Sequence, residues 1–354
     1  MKKNILLIIL NSAYGGAERH VLDICRYLDR SKFNLSIIVP ENTKIEEELK
    51  GMKNLQVQTV NRGSSSILSM SKLIKQMNPD TIHVHSPRAT LMAAIAVGLA
   101  GFKGNFITTA HGWIPNRLKL RKGIELVYIS ALKRYSKIIA VSDDVKKTLN
   151  SNNIPLDRIE TIYNGVEIEE TKLSHTASSR KVVFLGRYIE EKGLPYLLEA
   201  LKEINKSELK NKLTVDFYGD GPLKEYVDQT IKELNTNNVR NCGFMNPDQV
   251  IKTLRNYDIL IMPSIQEGFP YTLVEAFSAG IPVIASSVGG IPEALENGFN
   301  GFLTTPKSSE DLKIALETFI RLDDAKVLEL KKNALDTSKK FNVVDMVKYI
   351  EKNY

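Results

Sequence analysis

The chain has 354 residues, of which 43% are hydrophobic, 25% charged and 7% aromatic, with a formal net charge of +7. A single hydrophobic core stops growing near ~250–300 residues, so two domains are expected. The composition excludes a disordered, collagenous or disulfide-built protein, and the longest apolar run, residues 91–100, falls well short of a bilayer-spanning helix.

Charge is unevenly spread. Up to Glu167 there are 24 Lys/Arg and 14 Asp/Glu, hence +10; the remainder holds 24 and 27, hence −3. A first half this basic favours an anionic partner, and the second half does not. Cys25 and Cys242 lie in opposite halves without CxxC spacing. They read as free thiols in a reducing compartment and exclude a zinc site built on cysteine.

In chain order, Met1-Lys2-Lys3-Asn4 before the apolar residues 5–10 imitates a secretory signal. Six apolar residues make a short apolar region, and Gly15-Gly16-Ala17-Glu18-Arg19 continues into a helical pattern instead of a cleavage site. The segment reads as a buried first strand, and the chain as cytoplasmic. Ile-, Val- and Leu-rich runs then alternate with helical patterns. Strands are expected at 4–10, 35–40, 56–60, 81–85, 105–109, 137–141 and 158–162 in the first half. In the second half they are expected at 181–186, 213–219, 239–242, 259–262, 282–285 and 301–304. Apolar runs without polar alternation suit parallel strands covered on both faces. The polar, aperiodic stretch 167–179 reads as a linker between two doubly wound α/β domains. The domains are expected at 1–168 and 169–340, with a final helical segment at 341–354.

Such sheets bind ligands outside the carboxyl ends of their strands, and two of them face to face make a cleft. The chemically distinctive residues fall just after strands. Gly15-Gly16 opens a helix after the first strand, where adjacent glycines admit close backbone approach and free N–H groups suit a phosphate. No GxGxxG follows any strand, which removes the main support for a nicotinamide or flavin enzyme. His111 ends the fifth strand, followed by Gly112 and the only tryptophan, Trp113. His83 and His85 share one face of a strand, with no third metal ligand in view, and read as a partly buried polar strand end. Ser142-Asp143-Asp144 reads as a helix N-cap with an acidic first turn.

In the second half, Arg187 directly after a strand and Lys192 at the next helix start place two cations in one region. Such a pair suits a diphosphate, Arg as a fork and Lys as a mobile point charge. Tyr218-Gly219-Asp220-Gly221 is a glycine-rich turn, and Gly243 could let backbone amides meet a flat base. The most informative stretch runs from Met262 to Ala276, carrying Glu267 in a loop and Glu275 one turn into a helix that begins near Tyr271. Paired carboxylates accept hydrogen bonds from vicinal hydroxyls, as sugars and ribose present them. The N–H groups of Gly268, Phe269 and Tyr271 are further donors. Residues 114–137 form a basic amphipathic segment: Arg117, Lys119, Arg121, Lys122, Lys133, Arg134 and Lys137 stand against Glu125 alone. This suits an anionic lipid surface. Nucleic acid is excluded as a partner because stacking aromatics do not interleave with the charge.

Together these motifs resemble the retaining GT-B glycosyltransferases of glycosyltransferase family 4. The match rests on Gly15-Gly16-Ala17-Glu18-Arg19, Ala110-His111-Gly112, Tyr163-Asn164-Gly165-Val166, Gly186-Arg187, Glu191-Lys192-Gly193, Gly219-Asp220-Gly221, the Glu267…Glu275 element and Gly289-Gly290-Ile291-Pro292-Glu293. The resemblance implies an α/β, GT-B fold, two Rossmann-like domains facing across a cleft, with Asn164-Gly165 at the crossover and the final helix returning to the first domain. It implies that Arg187 and Lys192 hold the donor diphosphate and that Glu275 takes the ribose hydroxyls. Glu267 would contact the transferred sugar, and His111 would lie beside the reacting centre. Gly16, Gly243, Gly268, Phe269 and Leu273 would complete the donor site. Pro270 has no N–H and removes one possible sugar contact. The implied activity moves a sugar from a nucleotide diphosphate, most readily a UDP-sugar, to a lipid-linked or glycan acceptor. It would need no metal or other cofactor and would act in surface polysaccharide or glycolipid assembly, at the inner face of a bacterial cell membrane. A GDP-mannose-dependent transferase, a nucleotide-sugar epimerase and an inactive nucleotide-sugar-binding subunit remain open as alternatives.

Overall fold

The apolar runs become strands because parallel sheets covered by helices on both faces leave no strand face in water. The structure, a computed structural model, describes residues 1–11, 15–63, 65–112, 122–168, 173 and 180–354. Two compact units emerge, Met1–Asn164 with Val343–Tyr354 and Gly165–Asn342.

In unit 1 the strands are β1 Lys3–Ile9, β2 Phe33–Pro40, β3 Leu55–Val60, β4 Thr81–His85, β5 Asn105–Ala110, β6 Lys137–Ala140 and β7 Ile159–Thr161. They form one parallel sheet in the order β3-β2-β1-β4-β5-β6-β7. Its helices are α1 Gly16–Tyr27, α2 Lys44–Lys50, α3 Ser66–Met77, α4 Pro87–Ala100, α5 Lys122–Leu132 and α6 Asp143–Ser151. The run 91–100 lies in α4, and among the described residues no helix is long and apolar enough to cross a membrane. Ser142 caps α6 by accepting the Val145 N–H at 3.2 Å, with Asp143 and Asp144 in the first turn, as the sequence indicates.

Unit 2 contains β8 Arg180–Leu185, β9 Leu213–Tyr218, β10 Val239–Gly243, β11 Ile259–Met262, β12 Val283–Ser286 and β13 Gly301–Thr304. Their parallel order is β10-β9-β8-β11-β12-β13. The helices are α7 Leu194–Asn205, α8 Lys224–Glu233, α9 Val250–Leu254, α10 Tyr271–Ser278, α11 Ile291–Ala294, α12 Ser309–Arg321 and α13 Asp324–Ser338. The last helix, α14 Val343–Glu351, belongs to unit 1. Its apolar stripe of Val343, Met346, Val347 and Ile350 is buried in the core that β1, β2 and α1 build.

The unit boundaries fall at 164/165 and 342/343, a few residues from the sequence-based expectation of 168 and 340. Hydrogen bonds explain the shift. Asn164 Oδ1 meets His20 Nδ1 at 3.0 Å inside unit 1. Two residues on, the Val166 N–H donates to Phe341 O at 2.9 Å inside unit 2. The expected linker, 167–179, lies largely outside the described residues.

Strand order reverses between β1 and β4 in unit 1 and between β8 and β11 in unit 2. Open α/β sheets take ligands at the carboxyl side of such switch points.

Candidate active site

At the unit 2 switch point, β8 runs into Gly186-Arg187 and β11 into the Pro263–Phe269 loop. Three glycines let these loops touch. Gly193, at φ +66°, sits so close to the Pro263 carbonyl that a Cβ would lie 1.8 Å from its oxygen. A Cβ on Gly219 would lie 1.9 Å from Gly186 O, and one on Gly289, at φ +55°, 2.1 Å from Glu267 O. Backbone bonds complete the clamp: Ile265 N–H donates to Glu191 O at 2.8 Å and Gly290 N–H to Gly268 O at 2.7 Å. The loop is thus held as a rigid shelf.

On that shelf Lys192 Nζ lies 2.5 Å from Glu267 Oε1. Ser264 Oγ donates to the same oxygen at 2.7 Å. Both donors converge on Oε1, and among the described residues no hydrogen bond is recorded to Oε2, which leaves it to accept from a ligand. The stem of Lys192 runs past Gly186, where a Cβ would meet its Cδ and Cε at 3.8 Å. Arg187 is exposed at the end of β8. α10 begins at Tyr271 without a side-chain cap, its N-cap being Pro270. Gly268 is buried, Phe269 and Glu275 are each 3% exposed, and Leu273 is fully buried in α10. Gly243, at φ +74°, has open space on its Cβ side. Its N–H is already donated to Asn241 Oδ1 at 3.0 Å, so what it offers a flat group is room and not an amide.

The glycine clamp yields a direct expectation. Gly289→Ala would strain a left-handed backbone and push on the Glu267 carbonyl. A loss of about 2–4 kcal/mol in urea unfolding is expected, together with loss of ligand binding at Glu267. Unchanged stability would mean that the loop is not clamped there.

At the unit 1 switch point four imidazoles meet. His20 lies on α1, His83 and His85 on β4, and His111 just past β5. Ring centroids are 4.1 Å apart for His83 and His85, 5.0 Å for His20 and His111, 5.5 Å for His20 and His85, and 5.7 Å for His85 and His111. His83 and His85 do share a face, but both are fully buried, so the expected partly buried strand end is corrected. The polar partners of His83 are the last residue of the chain and the neighbouring strand: His83 Nδ1 is 2.8 Å from Tyr354 OH, and His83 Nε2 is 2.7 Å from Thr109 Oγ1 on β5. His85 Nδ1 lies 3.4 Å from His111 Nε2, so one of the two nitrogens carries the proton. Asn164 Oδ1 requires the proton on His20 Nδ1.

Burial pushes the His20 pKa down to about 4, against a smaller opposing pull from Asn164. His83, His85 and His111 are also held well below the ordinary imidazole range, by desolvation first and then by their imidazole neighbours. The cluster is therefore neutral at pH 7 and presents hydrogen-bonding groups without charge. Among the described residues, no three His, Cys, Asp or Glu side chains are placed to hold a metal ion.

The family description "Glycosyltransferase Family 4" matches residues 14–170, and "Glycosyl transferases group 1" matches residues 166–337. The chain is thus a glycosyltransferase built of a family 4 domain followed by a group 1 domain. Among its relatives is the UDP-Gal:alpha-D-GlcNAc-diphosphoundecaprenol alpha-1,3-galactosyltransferase of Escherichia coli, 27% identical over 99% of this chain and 95% of that one. The capsular polysaccharide biosynthesis glycosyltransferase CapH of Staphylococcus aureus is 24% identical, over 77% and 78%. The crystal structure of Anabaena HepE in complex with UDP-glucose superposes with a TM-score of 0.83 at 24% identity, covering 99% of this chain and 98% of that one. The fold is accordingly GT-B.

In this glycosyltransferase, the structure brings Lys192 and Glu267 together on one shelf, with Gly268 and Phe269 following in the same loop and Glu275 one turn into α10. His111 and Gly16 lie in the other unit, Gly16 as the first residue of α1. Arg117, Lys119, Arg121 and Trp113 lie outside the described residues, and Lys122 opens α5. Sequence reasoning missed His20. Its signal was its place one turn into the helix that follows the first strand, beside the strand that carries His83 and His85.

Proposed function

We propose that this glycosyltransferase is a retaining, metal-independent enzyme that moves a sugar from a UDP-sugar to a lipid-linked or glycan acceptor in surface polysaccharide or glycolipid assembly. The observation that carries this reading is the clamped shelf of unit 2, where Lys192, Ser264 and Glu267 converge beside the end of β8. A departing nucleoside diphosphate gathers negative charge. Arg187 and Lys192 meet it with two cations, and the uncapped start of α10 adds backbone N–H groups. Cationic side chains thus take the place of a metal ion in this reading. Glu267 Oε2 accepts from a hydroxyl of the transferred sugar, and Glu275 from the ribose. The neutral His111 acts on the sugar from unit 1, the role that family resemblance implies. Retention follows from same-face attack by the acceptor, its proton drawn off by the departing phosphate. Support for UDP and for a diphosphate-linked acceptor comes from the Escherichia coli relative, named for both. Support for a peripheral membrane contact comes from α5, where Leu126 and Val127 are 66% and 59% exposed beside the basic stretch.

The test is transfer from a panel of nucleotide sugars to a sugar-diphosphate-lipid acceptor with EDTA present, the product anomer being read by NMR. Transfer from a UDP-sugar with its α configuration kept supports the proposal; inversion, or activity restored only by a divalent metal, overturns it. Two variants separate the roles: Glu275→Ala is expected to weaken donor binding about tenfold or more, and His111→Ala to lower kcat about a hundredfold with donor affinity kept. Wild-type kinetics in both would remove these residues from the site.

A further inference from the structure

Within the histidine cluster His111 alone is partly exposed; His20, His83 and His85 are completely buried. The Nε2 of His111 is turned inward, 3.4 Å from His85 Nδ1. Among the described residues no hydrogen bond is recorded to His111 Nδ1, so that nitrogen is the one left for a ligand. What it offers depends on where the proton between the two rings sits.

That proton can be placed from its neighbours. Each neutral imidazole carries one proton. If His111 Nε2 donated, His85 would hold its own proton on Nε2, which is buried without a hydrogen-bond partner. An orphaned buried N–H is a rarer defect than an unused lone pair. With the proton on His85 Nδ1 instead, His85 Nε2 keeps only a lone pair and His111 Nε2 accepts. The single proton of His111 then lies on Nδ1, on the side away from His85.

The surroundings hold His85 in this orientation. Its ring packs on that of His83, and Tyr354 OH and Thr109 Oγ1 engage both nitrogens of His83. β4 pairs with β5 at His85 and Thr109, two residues before His111. His20, itself tied to Asn164, meets the ring of His111 edge-on at 5.0 Å. Directly after each paired imidazole the backbone φ is positive, 81° at Ser86 and 151° at Gly112. Ser86 carries a side chain and is strained there, and such strain collects where it places a functional group.

We propose that His85 is a positioning residue: it donates to His111 Nε2 and so makes His111 Nδ1 a hydrogen-bond donor to an oxygen of the transferred sugar. The proposal deepens the functional reading given above and rests on it for the sugar, but not for the proton. A protonated Nδ1 cannot also take the acceptor's proton, which is left to the departing phosphate.

Two measurements on the full chain test it. In the first, the protein is labelled with 15N-histidine and two-bond 1H–15N spectra at neutral pH separate protonated from bare ring nitrogens, His111→Gln assigning the His111 signals. Wild type is expected to carry the His111 proton on Nδ1. His85→Asn, whose amide can donate from the place of Nδ1, should keep it there. In His85→Leu, similar in size but without a donor, the Nε2-protonated form of His111 should gain at least about tenfold over the Nδ1 form. A wild-type proton on Nε2 overturns the proposal, whatever the enzyme's activity and whether or not His85→Leu folds.

In the second, steady-state kinetics are compared. His85→Leu should lower kcat at least about tenfold with the donor KM held within about twofold, and His85→Asn should recover most of the loss. Wild-type kcat in His85→Leu overturns the positioning role. Equal losses in both variants, with the His111 proton unmoved, would make His85 structural and overturn it too. Wild-type kinetics in His111→Ala would instead count against the functional reading, with the spectra still deciding the proton.

Discussion

Replacing Lys192 with Ala is expected to lower kcat/KM by about 10²–10³-fold, the cost of removing one preorganised group from a developing oxyanion. The fold should barely respond. Lys192 and Glu267 are 24% and 11% exposed, and a pair that reaches solvent contributes no more than about 1 kcal/mol. Ser264 would still hold Glu267 Oε1 at 2.7 Å, so the shelf keeps its shape. Lys192→Arg should recover only part of the activity, because its planar fork cannot reproduce a point charge at 2.5 Å from Oε1. Steady-state kinetics with the preferred donor, alongside urea unfolding of each variant, check both halves of the expectation. Wild-type kcat/KM in Lys192→Ala would remove the cation from the reaction. A large loss of stability with the activity would make its role structural.

The second large effect is acid instability of unit 1. Unfolded imidazoles take up protons near pH 6.5, whereas His20 in the fold resists until about pH 4. Between those values the unfolded chain binds more protons, so stability is full above pH 6.5 and falls as the pH drops towards 4. For His20 alone that drop is about 3 kcal/mol, at about 1.4 kcal/mol per pH unit. His83, His85 and His111 act in the same direction. Urea unfolding at steps from pH 7.5 to 4.5 should show the midpoint falling through this window, and His20→Gln should flatten the curve. A midpoint constant across the window would mean that the imidazoles are charged or solvated in the fold.

How much of this was legible in the sequence depended on the distance over which information had to travel. The strands could be read because a parallel sheet makes each one a local apolar run. Ile5–Ile9 and Ile259–Met262 are almost wholly buried, and both were found from composition alone. The shelf was legible in part: Glu267, the start of α10 at Tyr271 and the cation at Lys192 follow from a strand, a loop and a helix start. Their direct contact did not, because 75 residues separate Lys192 from Glu267 and only the adjacency of β8 and β11 brings them together. The histidine cluster lay beyond reach for the same reason. Sheet order sets β4 between β1 and β5, and Tyr354 returns across the whole chain to cover His83.

In the proposed reaction the unit 2 shelf binds the nucleoside diphosphate end of a UDP-sugar through protein cations. Thermal unfolding with UDP-, GDP- and ADP-sugars, each with and without EDTA, tests it most directly. A ligand that binds only the folded state stabilises it, by about 2.7 kcal/mol at a hundredfold excess over Kd. The predicted result is a rise in Tm with a UDP-sugar alone, undiminished by EDTA and cut to about half or less in Glu275→Ala. A shift selective for GDP- or ADP-sugars, or one abolished by EDTA, would contradict it.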